Sequence, residues 1–203
     1  MKYLVLSPRI KKNKFKKIEF IIDEELLSFI KKLNFNLYIA KNFKKENFKV
    51  LKNSSGLILS GGGDIWKISK KKIDQLRDNR EKKLYEFFLR KNKPIFGICR
   101  GFQLIANYNG IDLKKQIGHV RKSHKLLVKK SKYIKAKKIY VNSYHNYIID
   151  TVPNNFINVS CTKDGSIEIM EHTTKKILCT MFHPERNMKS KNYIIKTIKN
   201  FFK

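Results

Sequence analysis

Pro94-Ile95-Phe96-Gly97-Ile98-Cys99-Arg100-Gly101-Phe102-Gln103 is the stretch that decides how this chain folds. An apolar run enters a sharp Gly97-Ile98-Cys99-Arg100-Gly101 turn, and a helix-like segment, Phe102 to Tyr108, leaves it at once. A strand-turn-helix corner of this kind projects one side chain above a parallel sheet, at the start of a helix. There, unpaired backbone N–H groups and the helix dipole favour a negatively charged sulfur. The corner presents Cys99 as a nucleophile, so a base and a substrate must be sought elsewhere in the chain.

Working outward, apolar and β-branched runs predict strands at Tyr3–Leu6, Leu37–Ala40, Leu57–Leu59 and Pro94–Ile98. Asp23 is placed to cap a helix carrying Leu26, Leu27, Ile30 and Leu33 on one face. Ile73, Leu76, Leu84, Phe87 and Phe88 form a second apolar stripe at helical spacing. The order β-α-β-β-α-β-α predicts a parallel sheet covered by helices. Beyond residue 115 the pattern changes to shorter strands at Leu126–Val128, Lys138–Asn142, Phe156–Ser160, Ser166–Glu171 and Ile177–Phe182, with Asp164-Gly165 as a hairpin turn. A last helix, Tyr193–Phe202, sets Ile194, Ile198 and Phe201 along one side. Core packing accounts for nearly all of these stripes.

With 203 residues, no Pro/Ser/Gly-rich linker and no internal repeat, the chain is expected to form one domain spanning residues 1–203. The apolar run after Met1 is too short for a signal peptide, and no stretch approaches a membrane span. Cys99, Cys161 and Cys179 form an odd, sparse set without metal-ligand spacing, which suits a reducing cytosol. A cytoplasmic protein without a membrane partner, a metal or a cofactor is therefore expected. Cys161 and Cys179 read as small core residues. The formal charge of +30 attracts polyanions, yet the lysines are scattered among Asn and Ile throughout the chain. Codon bias and recognition of an anionic substrate both account for it. No zinc-finger, basic-zipper or RNA-binding signature accompanies the charge, so no nucleic-acid partner is expected.

A nucleophilic cysteine needs a general base, a group orienting that base, and donors for the oxyanion. His183-Pro184-Glu185 follows the strand-like Ile177–Phe182 and supplies the first two, with Glu185 fixing the His183 tautomer. Taken alone, that tripeptide also reads as an ordinary surface turn. Ser60-Gly61-Gly62-Gly63-Asp64 follows another strand, and its glycines let the backbone approach a ligand closely. One N–H from this loop together with that of Arg100 makes a two-donor oxyanion hole. The loop is no Walker motif, since no Gly-Lys-Ser/Thr follows. His119 and His124 lie in a Lys-rich region without a partner pattern and are expected in solvent or loop contacts, with Arg121 beside them.

A glycine-rich loop, then Gly97-Ile98-Cys99-Arg100-Gly101-Phe102-Gln103, then His183-Pro184-Glu185, in that order, resembles the class I glutamine amidotransferase superfamily over nearly the whole chain. Finer features resemble its γ-glutamyl hydrolase (peptidase C26) branch. They are Gly61-Gly62-Gly63-Asp64, Arg77-Asp78-Asn79-Arg80-Glu81, Val141-Asn142-Ser143-Tyr144-His145 and Asp164-Gly165-Ser166-Ile167-Glu168. The resemblance implies an α/β, flavodoxin-like, mainly parallel sheet with helices on both faces and a small antiparallel addition. It places the triad on Cys99, His183 and Glu185 and the oxyanion hole on the N–H groups of Gly62 and Arg100. Gly61, Gln103, Asn142, Ser143, Tyr144 and His145 fall to substrate binding.

The resemblance also implies hydrolysis of a γ-glutamyl amide through a thioester, on a small-molecule, nucleotide-linked substrate. More narrowly, the chain is similar to small Lys-rich members that release glutamate from γ-glutamyl-CDP-amidate during capsular phosphoramidate synthesis. The alternatives are a γ-glutamyl amine such as γ-glutamyl-aminobutyrate, or glutamine hydrolysed for a synthetase partner. Two departures bear on the leaving-group side. Asn146-Tyr147 stand where the branch usually has His-Gln, and Cys179-Thr180-Met181 where it usually has Gly-Val-Gln.

Overall fold

A computed structural model describes residues 2–43 and 47–203; Met1 and residues 44–46 lie outside the described residues. The N-terminal half contains β1 (Tyr3–Ser7), β2 (Arg9–Lys12), β3 (Ile18–Ile21), α1 (Glu24–Lys32), β4 (Asn36–Ile39), α2 (Phe48–Asn53) and β5 (Gly56–Leu59). Then come α3 (Trp66–Ser69), α4 (Lys72–Arg90), β6 (Ile95–Ile98), α5 (Arg100–Tyr108), β7 (Lys114–Lys115) and β8 (Val120–Leu127). The remainder is β9 (Lys138–Tyr144), β10 (Tyr147–Ile148), β11 (Phe156–Cys161), β12 (Ile167–His172), β13 (Ile177–Thr180) and α6 (Lys191–Phe201).

The main sheet has seven strands in the order β11-β12-β13-β6-β5-β1-β4. From β13 to β4 every pairing is parallel, and β11–β12 is an antiparallel hairpin added at one edge. Parallel strands covered on both faces need apolar side chains on both, which is why β5, β6 and β13 are buried throughout. Successive residues face opposite layers. Leu4, Leu6, Ile58, Phe96 and Ile98 pack with Leu26, Phe29 and Ile30 of α1 and with Ile194, Ile198 and Phe201 of α6. Val5, Leu57, Leu59 and Ile95 pack with Leu84, Phe87 and Phe88 of α4 and with Phe102, Leu104 and Ile105 of α5. The fold is the expected α/β, flavodoxin-like arrangement with helices on both faces. Among the described residues, no helix is long and apolar enough to cross a membrane.

Several local readings change. Two parallel neighbours of one strand cannot be joined without a crossover; α2 supplies it between β4 and β5, where the sequence pattern predicts two strands in direct succession. On α1, Leu27 is exposed and Phe29 takes the buried place. β13 ends at Thr180 rather than Phe182, although the Met181 amide still donates to the Glu168 carbonyl of β12 at 2.8 Å. The β2–β3 hairpin is absent from the predicted elements, because lysines interrupt its alternation. β8 begins at Val120, six residues before the expected strand, and its polar first half is extended because it pairs with β9.

The close approach of α5 to β5 depends on Gly101. A Cβ there would lie 2.3 Å from the Leu59 carbonyl oxygen, so any side chain separates helix from sheet. Gly101→Ala is expected to destabilise the protein by about 1–3 kcal/mol. Chemical denaturation measures this, and an unchanged midpoint and slope would contradict the packing described.

Candidate active site

The chain leaves β6 at Ile98 and enters α5 at Arg100, which leaves Cys99 alone to make the turn, at φ 47° and ψ −97°. A non-glycine residue is strained there and must be held. The Cys99 amide donates to the Thr180 carbonyl of β13 at 2.8 Å, and its carbonyl accepts from the Gln103 amide at 3.0 Å. These bonds fasten the residue to the sheet on one side and to the helix on the other. The thiol thus sits at the helix N-terminus, 7% exposed.

His183 arrives from the neighbouring strand, because β13 pairs in parallel with β6 and Thr180 lies opposite Ile98. Pro184 follows in a tight turn closed by the Arg186 amide donating to the His183 carbonyl at 3.1 Å. That turn brings Glu185 back, and its Oε1 lies 2.6 Å from His183 Nδ1. The imidazole and Cys99 line the same cleft, near enough for the sulfur to favour a charge on the ring. Burial disfavours a charge on the ring, but the Cys99 sulfur and the Glu185 carboxylate outweigh it, and the His183 pKa is pushed up to about 10. The sulfur, imidazole and carboxylate expected from sequence are thus brought into one chain of contacts.

Asn142 holds this histidine from behind. Its Oδ1 accepts from the His183 amide at 2.9 Å, and its Nδ2 donates to the carbonyls of His183 at 2.8 Å and Asn187 at 3.2 Å. Gly61 lies against the ring, where a Cβ would come within 2.8 Å of His183 Cε1.

The glycine loop is set by a buried charge network. Glu81 receives Ser7 Oγ and Arg77 Nε on Oε1, both at 2.9 Å, and Arg100 Nη1 on Oε2. Arg100 also pairs with Asp78 and donates to the Asp64 carbonyl. Burial disfavours the Glu81 charge, yet Arg100 and Arg77 together hold its pKa below the usual carboxylate range. From this anchor Arg77 donates to the carbonyls of Ser60 at 2.9 Å, Gly61 at 3.3 Å and Gly62 at 2.6 Å. In a trans peptide the C=O and the following N–H point in opposite directions. With the Gly61 carbonyl turned to Arg77, the Gly62 N–H points away from it; Gly62 takes φ +83°, a value suited to glycine.

These elements enclose a cleft of about 210 Å³ lined by Gly62, Gly63, Asp64, Cys99, Gln103, Tyr144, His145, Asn146, Tyr147, His183 and Arg186. Of the residues expected to bind substrate, Gln103, Tyr144 and His145 line it. Gly61, Asn142 and Ser143 do not. Asn142 is consumed by the His183 backbone, and the fully buried Ser143 donates to the His119 carbonyl at 2.6 Å. Gln103 also braces the wall, donating to the Tyr147 carbonyl at 3.1 Å. Sequence reasoning missed Arg186, whose guanidinium lies 4.5 Å from the Tyr144 ring centre. It also assigned no role to Arg77 and Glu81, although their i,i+4 spacing on a helix was a visible signal.

Replacing Glu185 by Gln removes a negative charge beside the imidazole, so the His183 pKa is expected to fall below about 10. NMR titration of the His183 ring protons reads this directly. An unchanged midpoint in Glu185→Gln would contradict the pairing.

Comparison with known proteins follows the same lines. A family model described as peptidase C26 matches residues 35–185. The chain is 33% identical over 146 residues to the gamma-glutamyl-CDP-amidate hydrolase of Campylobacter jejuni, covering 72% of this chain and 68% of that protein. Among solved structures, a candidate GMP synthase subunit from Thermoplasma acidophilum superposes with a TM-score of 0.74 at 20% identity, over 100% of this chain and 94% of that one. A glutamine amidotransferase from Thermotoga maritima gives 0.71 at 12% identity, over 99% and 96%. The structures share the fold, and with the family match and the Campylobacter relative the conclusion is that this chain belongs to the peptidase C26 family.

Proposed function

We propose that this protein is a cysteine-dependent hydrolase that releases L-glutamate from a γ-glutamyl amide, with γ-glutamyl-CDP-amidate as substrate. One observation carries the reaction class: the strained Cys99 shares one cleft with His183, whose ring is hydrogen-bonded to Glu185. In the reaction, the sulfur attacks the δ-carbonyl carbon with the proton of the Cys99–His183 pair already held on the imidazole. The N–H groups of Gly62 and Arg100 receive the oxyanion. The C–N bond breaks as His183 returns the proton to the leaving nitrogen, which leaves a γ-glutamyl thioester on Cys99. Water, giving its proton to His183, then attacks the thioester, and glutamate departs as the thiol is restored.

The identity of the leaving group rests on two supports. The Campylobacter relative is named for γ-glutamyl-CDP-amidate. Arg186 also lines the cleft, its guanidinium beside the Tyr144 ring. A guanidinium group there suits a phosphate. The leaving product would then be cytidine diphosphoramidate.

Side-by-side assays of glutamate release from γ-glutamyl-CDP-amidate, γ-glutamyl-aminobutyrate and glutamine test this. The highest kcat/KM is expected on the nucleotide amidate, with activity lost about 10³-fold or more in Cys99→Ala. Arg186→Ala is expected to lower kcat/KM about 10-fold or more on the nucleotide amidate, with a much smaller effect on glutamine. Glutamine as the preferred substrate would overturn the substrate, and substantial turnover by Cys99→Ala would overturn the chemistry.

A further inference from the structure

Behind the cleft wall, His119, His145 and Glu168 converge, one ligand atom of each lying within 4.8 Å of the others, and all three side chains are buried. They come from the loop before β8, the turn after β9 and the strand β12, so no spacing in the sequence announces them. The hydrogen bonds at the outer edges of the cluster decide what faces inward. His145 Nδ1 lies 3.2 Å from the Tyr147 carbonyl, which only accepts, so that nitrogen carries a proton. In a neutral ring Nε2 is then a lone pair, and it lies 3.1 Å from Glu168 Oε1, another acceptor.

His119 repeats the pattern. Its Nε2 lies 2.8 Å from Asp164 Oδ2, and the other oxygen of that carboxylate receives Thr162 Oγ1 and the Ser166 amide. Its Nδ1 is turned inward, 3.8 Å from Glu168 Oε1, and has no hydrogen-bond partner among the described residues. Glu168 Oε2 also has none. With both rings neutral, two imidazole lone pairs and a fully buried carboxylate face one another, an arrangement of acceptors that is costly without a cation among them.

We propose that His119, Glu168 and His145 bind a divalent first-row transition metal of the Zn²⁺ class. Two imidazoles and a carboxylate are a donor set that Zn²⁺ takes. An ion about 2.1 Å from each atom of a tetrahedron sets its ligands roughly 3.4 Å apart. The two imidazole nitrogens lie 3.1 Å and 3.8 Å from Glu168 Oε1 and the cluster spans up to 4.8 Å, so the side chains draw together on the ion. Each histidine gives its other ring nitrogen to a carboxylate or a backbone carbonyl, the support that fixes the tautomer of a metal-ligating imidazole. His124 is the candidate fourth ligand: its ring centre lies 4.8 Å from that of His119, and its Nε2 is also buried without a hydrogen-bond partner among the described residues. The ion would tie β12 to the segment containing His145, and so fix the cleft wall. The expectation of a metal-free chain rests on cysteine spacing and overlooks these histidines. The proposal stands apart from the proposed reaction.

The test uses the full chain carrying Cys99→Ser, which removes the cleft thiol as a competing ligand. After stripping with a chelator and exposure to Zn²⁺ or Co²⁺, about one equivalent is expected to remain after gel filtration. The Co²⁺ form is expected to show visible d–d absorption without a thiolate charge-transfer band, and Zn²⁺ is expected to raise Tm. Asp164→Asn should weaken the affinity about 10–100-fold, and His119→Ala should abolish stoichiometric binding. Retention below about a tenth of an equivalent, a thiolate band, or undiminished binding in His119→Ala would each overturn the site. In the first case a proton, shared between imidazole and Glu168, would be what fills it. The stoichiometry and spectrum need no substitution within the cluster, so they decide the matter even if His119→Ala does not fold.

Discussion

Glu81 is a single buried carboxylate on which both halves of the proposed oxyanion hole depend. It is fully buried on α4, and it holds Arg77 and Arg100 at the same time. Arg77 turns the carbonyls of the glycine loop toward itself, and Arg100 occupies the first position of the helix behind Cys99. Removing this anion would leave two buried guanidinium groups facing each other, a fault that in buried pairs costs about 3–5 kcal/mol. The network therefore gives precision where it matters, since the two backbone donors sit on different segments and nothing covalent fixes their separation.

The sheet supplies the other constraint. Parallel strands end at the same edge, so β6 and β13, as neighbours in register, deliver Cys99 and His183 side by side although 84 residues separate them. The Cys99–Thr180 hydrogen bond continues the ladder one step beyond β6 and holds the strained turn in place. Asn142 of β9 then fixes the backbone of His183, so separate elements hold Cys99 and His183.

Much of this is legible in the sequence, for physical reasons. Strands buried on both faces appear as continuous apolar runs, and Ile95–Ile98 entering Cys99-Arg100-Gly101 is unambiguous as a corner. The triad candidates are legible because Cys, His and Glu have few roles in such settings. What is not legible depends on contacts between distant residues. Asn142 and Ser143 look like ligands for substrate, but polar side chains serve backbone groups equally well, and only the folded contacts separate the two uses. His119 looks solvent-exposed among lysines, yet it is 2% exposed because its ring packs among His145, Glu168 and Asp164. The β2–β3 hairpin is hidden by its lysines. The charge of +30 still has two sources, but Arg186 at the cleft gives it one local chemical meaning.

The central claim is that Cys99 accepts the γ-glutamyl group. Intact-protein and peptide mass spectrometry on enzyme quenched in acid during turnover tests it most directly. The account predicts a glutamyl adduct on the peptide containing Cys99, formed with substrate and lost on incubation at neutral pH. Full glutamate release with no adduct at any quench time, or an adduct on another residue, would contradict it.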